Sequence, residues 1–263
     1  MLNKTTLKRR KKKKKGKALL LYILTIALLS IAAYGYKAFN NHLQVSLSKF
    51  ELTDIHISGN DILSDKEILN ILGLETGEKL LEISAKETVK KLKESIYIRA
   101  VNAVYSLPST LRINVWEREP VAFIYGLGLN MIDKENYILP VPDKNIRWNL
   151  PVITGISERL GLQGAETISE LAKQGVAIAR YVSIIDMPLR EMVSEISFKN
   201  KDYIEIGISG SGAVIRIDQQ KYQEQLFVAA RYLKDYLDFN RLDKLDYVDV
   251  RFSDQIIIKE HKV

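Results

Sequence analysis

An uncharged run of nineteen residues near the N-terminus is the strongest constraint on how this chain folds. It extends from 18 to 36 and directly follows a basic segment, 1–17, which contains ten Lys or Arg residues and no acidic residue. At about 1.5 Å per residue, such a helix comes close to the ~30 Å hydrocarbon core of a bilayer. Because clustered Lys and Arg keep their side of a span in the cytoplasm, the sequence predicts a single-pass signal anchor with an outward-facing body.

Two other interpretations of this region stay open. Ala33-Tyr34-Gly35 has the small-x-small pattern of a signal-peptide cleavage site, so the run could be removed after export. The lysine run could also bind nucleic acid, because clustered cations release counterions from phosphates. The basic segment is longer than that of a usual signal peptide and the apolar run has the length of a span, which favours an uncleaved anchor.

Composition excludes several kinds of site in the remaining chain. Outside the basic segment, 29 basic residues face 32 acidic ones, so the body carries a charge of about −3. Cysteine is absent, which excludes thiol catalysis, disulfides and cysteine-based zinc sites. The three histidines lack metal-ligand spacing, and His56 fits an exposed strand position. We therefore expect no metal ion and no cofactor.

The first part of the body has a β-α-α-β-β pattern. Apolar and polar residues alternate over 53–58, which predicts a half-buried strand. Capping boxes at 64–67 and 84–87 each begin a predicted helix. Two further strands are predicted at 98–105 and 111–117. The unit occupies about seventy residues.

The second part of the body combines short strands with two helices. Helices are predicted at 165–182, with Ile168 facing inward, and over a segment from Tyr222 to Leu237. Strands are predicted at 121–125, 131–139 (with a turn at 133–136), 193–198, 203–208, 213–217, 245–252 and 256–258.

Several of these segments together resemble the FtsQ/DivIB family of cell-division proteins. The β-α-α-β-β unit is similar to a POTRA domain, and Glu117-Arg118-Glu119-Pro120-Val121-Ala122 resembles the E-x-x-P-V-A junction that follows it in this family. The segments at 150–155 and 249–252 resemble the L-P-x-[IL]-x-G and D-[LVM]-R-[YF] motifs. The resemblance implies an α+β fold whose sheet in the second domain is largely antiparallel. The expected order is a basic tail (1–17), a span (18–36), a linker (37–49), a POTRA domain (50–120) and an FtsQ-type β domain (121–263).

Catalytic patterns are absent from the sequence. The Gly-rich segment 207–212 has neither nucleophile-elbow nor phosphate-loop spacing and fits a hairpin turn. Glu117 and Glu119 have basic neighbours and fit surface ion pairs better than an acid/base couple. We therefore expect no catalytic residue.

The family resemblance implies a scaffold. It would link septal proteins, notably small bitopic coiled-coil partners of the FtsB/FtsL kind, and help to control septal peptidoglycan synthesis without catalysing it. Its expected location is the inner membrane at the septum, with a cytoplasmic N-terminus, and the short segment after the final predicted strand favours a two-membrane bacterium. The alternatives are a POTRA-bearing docking factor for secretion or outer-membrane assembly, and an anchored enzyme or nucleic-acid binder.

The family resemblance places the small coiled-coil partner at the C-terminal edge, and the open edge of a strand gives a physical reason for it. In the POTRA domain, which the resemblance makes a recruitment module, the expected docking surface is the second helix with the following strand at 98–105, where Arg99 is expected to be exposed at the start of the strand. At the C-terminal edge, period 2 places Asp249 and Arg251 on one face and Val248, Val250 and Phe252 on the other. Arg251 is expected to grip a partner carboxylate and Phe252 to act as an aromatic anchor. The alternative to partner binding is that Phe252 and the isoleucines fill the core. The predicted residues at this edge are Arg251, Phe252, Asp254, Ile256, Ile257 and Ile258.

Overall fold

The computed structural model describes residues 7–47, 50–126, 128–185, 189–236 and 239–261. Two compact units are built from interleaved segments of the chain. One comprises Met1–His56, Gly73–Thr88 and Ala103–Ile113, and the other comprises Ile57–Leu72, Val89–Asn102 and Asn114–Val263.

A single long helix, α1, runs from Leu7 to Leu47. Within it, Leu19–His42 is long and apolar enough to cross a membrane, and the residues of this window are exposed. The candidate span is therefore longer than the predicted 18–36. The predicted linker at 37–49 is helical as far as Leu47, because 37–47 contains neither Pro nor Gly to end the helix.

The predicted β-α-α-β-β order is confirmed. Its elements are β1 (Asp54–Ser58), α2 (Asp65–Leu72), α3 (Ala85–Lys93), β2 (Ile98–Ser106) and β3 (Thr110–Glu117). The strands form a three-stranded sheet in the order β1-β3-β2. Its alternating pattern buries one side of β3 at Leu111, Ile113 and Val115 and leaves His56 of β1 exposed.

The capping box at 64–67 forms in full, and the box at 84–87 forms through the hydroxyl of its serine. The carboxylate of Glu67 accepts hydrogen bonds from the amide (2.8 Å) and hydroxyl (2.7 Å) of Ser64 at the start of α2. The amide of Glu87 donates to the hydroxyl of Ser84 (3.3 Å) at the start of α3. These contacts satisfy amides that have no partner inside the helix, so each helix begins at its predicted residue.

The remaining strands form one nine-stranded sheet. In chain order they are β4 (Pro120–Gly126), β5 (Gly128–Asp133), β6 (Ile138–Pro140), β7 (Val152–Thr154), β8 (Val193–Ser197), β9 (Ile204–Ile208), β10 (Val214–Ile217), β11 (Leu245–Asp249) and β12 (Ile257–Glu260). The spatial order is β12-β11-β10-β9-β8-β7-β4-β5-β6. Five of the eight pairings are antiparallel and three are parallel, which agrees with the predicted largely antiparallel sheet.

Helix α4 (Glu170–Ile184) packs against this sheet, the short helix α5 (Leu189–Met192) contacts the helices on either side of it in the chain, and α6 (Tyr222–Asp235) packs against the sheet. A 3-10 helix, Phe239–Lys244, precedes β11. Their apolar faces join those of the strands in a single core that includes Ile178, Leu226, Ile206 and Val248.

The first of these helices begins later than predicted. The hydroxyl of Ser169 caps α4 by accepting from the amide of Ala172 at 3.1 Å. Residues before this cap belong to a loop, in which Glu166 forms a β-bridge with Tyr137. Ile168 is therefore 67% exposed, and its predicted inward orientation is wrong. Leu237, predicted to end the second helix, lies outside the described residues.

Candidate partner-binding edge

Strand β12 forms one edge of the nine-stranded sheet. It pairs antiparallel with β11, with Ile258 opposite Val248 and Ile257 opposite Asp249. Among the residues that the structure describes, no strand pairs with its other side. All four β12 residues are exposed, and Ile257 and Ile258 retain 37% and 42% of their surface. The unpaired backbone groups of an edge strand are a template for strand addition.

The opposite edge of the sheet is covered. At β6, the amide of Ile138 donates to the carbonyl of Ala165 (3.0 Å), and the amide of Gly164 donates to the carbonyl of Ile138 (2.8 Å). The Tyr137–Glu166 bridge continues this cover by one residue. Within the described ranges, the β6 edge is therefore covered and the outer side of β12 is not.

The chain leaves the sheet earlier than predicted at the D-V-R-F motif. Strand β11 ends at Asp249 rather than at Phe252, and alternation ends with it. Val248 and Val250, predicted to share a face with Phe252, are both buried, whereas Phe252 is 44% exposed, so its predicted place on their face is wrong. Ile256 alone of the three isoleucines packs against the core. Core filling therefore does not account for Phe252, Ile257 and Ile258.

Arg251 already has a carboxylate partner within the chain. Its Nε and Nη2 donate to Oδ1 (2.9 Å) and Oδ2 (2.7 Å) of Asp249, which is 4% exposed. Burial raises the pKa of Asp249, but the hydrogen bonds and charge of Arg251 outweigh it and hold that pKa below its ordinary value. The guanidinium expected to grip a partner carboxylate thus makes its two-bond contact inside the chain.

Cations and aromatic rings alternate across the sheet next to this edge. The guanidinium of Arg216 lies 3.8 Å from the ring centre of Tyr247 and 4.9 Å from that of Tyr203. Arg251 lies 4.6 Å from the Tyr203 ring, and Lys259 of β12 lies 5.4 Å from the Tyr247 ring. We call these five residues the cation–aromatic row.

Sequence reasoning did not find Tyr203, Arg216 and Tyr247. Arg216 lies between Ile215 and Ile217, both buried, so alternation alone indicates that it faces outward. What the sequence does not give is the order β9-β10-β11, which brings three distant segments side by side.

A buried glutamine connects helix α6 to the motif. Gln225 is 5% exposed; its Oε1 accepts from the amide of Asp218 (2.6 Å) and its Nε2 donates to the carbonyl of Arg251 (3.4 Å). Asp254 is exposed between Phe252 and β12.

Arg99, the predicted docking residue of the POTRA domain, is exposed on β2 and forms an ion pair with Glu135 at 2.9 Å. The hydrogen bond from Arg99 is the main cause that lowers the pKa of Glu135. None of the contacts recorded for Arg99 reaches β11 or β12. The predicted site residues therefore fall into two separate places.

Within the described part of the chain, no three His, Asp or Glu side chains are grouped so that they could hold a metal ion.

Comparison with known proteins identifies two domains. The profile described as "POTRA domain, FtsQ-type" matches residues 50–118, and that described as "Cell division protein FtsQ/DivIB, C-terminal" matches residues 122–251. The FtsQ cell division protein of Geotalea daltonii is 26% identical over 80% of this chain and 76% of its own length. That of Koribacter versatilis is 24% identical over 88% of this chain but 64% of its own length, which is less than two thirds of that protein.

A DivIB protein is also similar. The cell division protein DivIB of Staphylococcus aureus is 25% identical over 59% of this chain and 35% of its own length. Four observations point to the same family: the two adjoining domain matches, the candidate N-terminal span, and relatives named FtsQ and relatives named DivIB. The chain belongs to the FtsQ/DivIB family of cell-division proteins.

Proposed function

We propose that this protein is a non-enzymatic scaffold of the divisome, which captures a β-strand of a small bitopic coiled-coil protein of the FtsB/FtsL kind at β12. The observation that carries the proposal is the edge itself, where Ile257 and Ile258 are both exposed on a strand whose outer side pairs with no other strand of the described residues. Strand addition supplies main-chain hydrogen bonds, and the flanking side chains supply specificity.

The surroundings of the edge favour a partner strand that carries both apolar and acidic residues. Ile257 and Ile258 project to opposite sides of the sheet and offer apolar contact on each. Phe252, 44% exposed, adds an aromatic surface beside them. Arg216 and Lys259 in the cation–aromatic row carry positive charge, although Glu205 and Asp246 pair with them at 3.2 and 2.7 Å.

The revised role of Arg251 follows from its contact with Asp249. The Nε and Nη2 groups of Arg251 already donate to Asp249. Arg251 therefore fixes the turn from which Phe252 projects, instead of binding the partner with two hydrogen bonds. Phe252, Ile257 and Ile258 then make the direct contacts, with Asp254 and Ile256 between them in the chain.

Membrane anchoring fits this role. The span at Leu19–His42 would hold the protein in the inner membrane, and the preceding cations would keep the N-terminus in the cytoplasm. The domains after the span would then meet partners outside the cytoplasm, at the septum. Control of septal peptidoglycan synthesis would come from linking the proteins that perform it, and recruitment would use the POTRA domain near Arg99.

The proposal is tested with the full-length chain in detergent micelles and the purified FtsB/FtsL-type protein of the same organism. Replacing Ile257 and Ile258 by Glu places two carboxylates on the edge without creating a core cavity, since both residues are exposed. We expect the dissociation constant to rise about a hundredfold, equivalent to about 2.7 kcal/mol. The matched control is Leu162→Glu, which changes a side chain that is 78% exposed elsewhere in the domain.

Truncation after Phe252 gives a second test, because it removes β12 and should abolish capture while the POTRA domain stays folded. Unchanged affinity in both edge variants, with unchanged melting temperature, would show that docking occurs elsewhere. Protection of the outward domains from protease added to spheroplasts, beside a digested control, would contradict the proposed orientation.

A further inference from the structure

A groove of about 540 Å³ lies between α4 and α6. Residues from the last turns of α4 and from the central and C-terminal turns of α6 line it, and none of the edge residues takes part; they include Tyr181, Ile184, Phe227, Arg231, Lys234 and Asp235. The groove is thus a second surface of the domain that carries the nine-stranded sheet.

Large apolar side chains at this groove are exposed to solvent. Ile184 and Phe227 are 79% and 52% exposed, whereas the opposite faces of their helices are buried at residues such as Val182 and Leu226. Clustered exposed apolar groups of this kind mark interaction sites. Helix backbones have satisfied their own hydrogen bonds, so a groove between two helices recognises side chains rather than a strand.

The charge on the groove is asymmetric. Arg231 reaches Asp235 at 4.0 Å, but no carboxylate among the described residues lies within ion-pair distance of Lys234. Two cations against one carboxylate leave the lining with a net charge of +1. The complementary ligand therefore carries a negative charge at the end of the groove near Lys234.

We propose that this groove binds an amphipathic helix of a partner protein, with an apolar stripe and a carboxylate about two turns from its apolar anchor. Phe227 and Lys234 are seven residues apart on α6, which corresponds to about 10 Å along one helix face. An apolar anchor placed between Ile184 and Phe227 thus brings a carboxylate two turns away to the ammonium of Lys234. A second copy fits less well, because a two-fold contact through the groove would face its net positive linings toward each other.

The test is site-specific crosslinking in cells that produce the full-length chain. A photoreactive amino acid replaces Phe227, and the crosslinked peptide is sequenced. We expect a segment of another protein with helical apolar periodicity and an Asp or Glu about two turns from the crosslinked position. Lys234→Glu should lower the yield about fivefold, whereas Lys201→Glu, at an exposed lysine outside the groove, should leave it unchanged. Reversing the partner's carboxylate to Lys should restore the yield with Lys234→Glu.

Each other outcome overturns the proposal. These are the absence of an adduct, an adduct with lipid or with a second copy of the chain, a crosslinked segment without the carboxylate, and a yield that Lys234→Glu does not change. The melting temperatures of both lysine variants are measured, and they should match that of the parent because both residues are exposed. Since the edge variants leave the groove intact, loss of strand capture and loss of this adduct are separate results.

Discussion

Arg251 and Asp249 are joined by two parallel hydrogen bonds of 2.9 and 2.7 Å immediately after the final residue of β11. The carboxylate is buried whereas the guanidinium is partly exposed. This pair fixes the turn from which Phe252 points into solvent, so it connects the core of the domain to the proposed docking edge.

Replacing Asp249 by Asn should lower the free energy of unfolding by about 2 kcal/mol, because the substitution removes the charge that Arg251 faces. Partner affinity should fall as well, since Phe252 loses its fixed position. Urea unfolding of the full chain measures the first effect. Asp254→Asn, at an exposed carboxyl close by in the chain, is the control and should change stability by less than about 0.5 kcal/mol. Equal stability of the two variants would contradict this role for the pair.

Glu117, the first residue of the E-x-x-P-V-A segment, should be a strong stability determinant. Its carboxylate accepts hydrogen bonds from the amides of Asp61 (2.8 Å), Ile62 (2.5 Å) and Leu63 (2.8 Å). Glu117→Ala leaves these amides without their acceptor and should cost about 2–3 kcal/mol.

The matched control for Glu117 is Glu119→Ala. Glu119 is 69% exposed and contacts Lys134 at the surface, so its loss should cost less than about 1 kcal/mol. Denaturant unfolding of both variants makes the comparison, and similar losses would disprove the assignment.

Gly155, in the L-P-x-[IL]-x-G segment, should not tolerate alanine. Its φ is +74°, and an added Cβ would lie 2.4 Å from the amide nitrogen of Lys199. Gly128 also has positive φ, +95°, but a Cβ there would meet open space. We therefore expect Gly128→Ala to cost about 1 kcal/mol and Gly155→Ala at least about 3 kcal/mol. Both variants place alanine at a positive φ, but only Gly155→Ala brings a Cβ close to Lys199. The difference between their melting temperatures therefore measures the cost of that close contact alone.

Glu67 should make stability depend on acid pH. Hydrogen bonds from Lys144, then from Ser64, lower the pKa of Glu67 from 4.5 to about 2. A carboxyl group with a lowered pKa stabilises the fold above its unfolded pKa, and this contribution disappears as the pH falls from 4.5 to 2.

The difference in melting temperature between the parent and Glu67→Gln should therefore be full at pH 6, should shrink below pH 4.5 and should be lost as the pH falls through about 2. Thermal melts across this range measure it. A difference that stays constant over the interval would show that Glu67 acts without its charge.

The structural role of Arg99, its ion pair with Glu135, should be separable from its proposed role in recruitment. Arg99→Glu places a second carboxylate against Glu135 and should impair septal localisation of a fluorescent fusion. Combining it with Glu135→Gln removes the like-charge contact without placing a cation beside Arg118, which lies 3.3 Å from Glu135, so folding should recover to within about 1 kcal/mol. Localisation should stay impaired if Arg99 itself meets the partner. Recovery of localisation in the double variant would assign Arg99 a structural role only.

Local patterns predicted the elements well. The Ser64–Glu67 and Ser84–Glu87 boxes act within three residues, and the buried alternation at Leu111, Ile113 and Val115 depends only on strand period. The family motifs then indicated which domains these elements form.

Side-chain directions at the edge were beyond the reach of the sequence. Period 2 places Phe252 with Val250 only while the strand continues, and the pairing of Arg251 with Asp249 ends it. Ile168 is exposed because the Ser169 cap delays α4. In each case a side chain forms a local hydrogen bond, Asp249 to Arg251 or Ser169 to Ala172, that competes with continuing the strand or helix. Which of the two forms depends on the rest of the fold.

The two edges of the nine-stranded sheet differ among the described residues, because β6 is covered by a loop and the outer side of β12 pairs with no strand. Where residues 164–166 occupy the β6 side, an incoming strand has no main-chain groups to pair with. The proposed strand addition would therefore extend the sheet past β12 and not past β6. An added strand would present an outer edge of its own, and the stoichiometry of such a complex would depend on how the partner covers that edge.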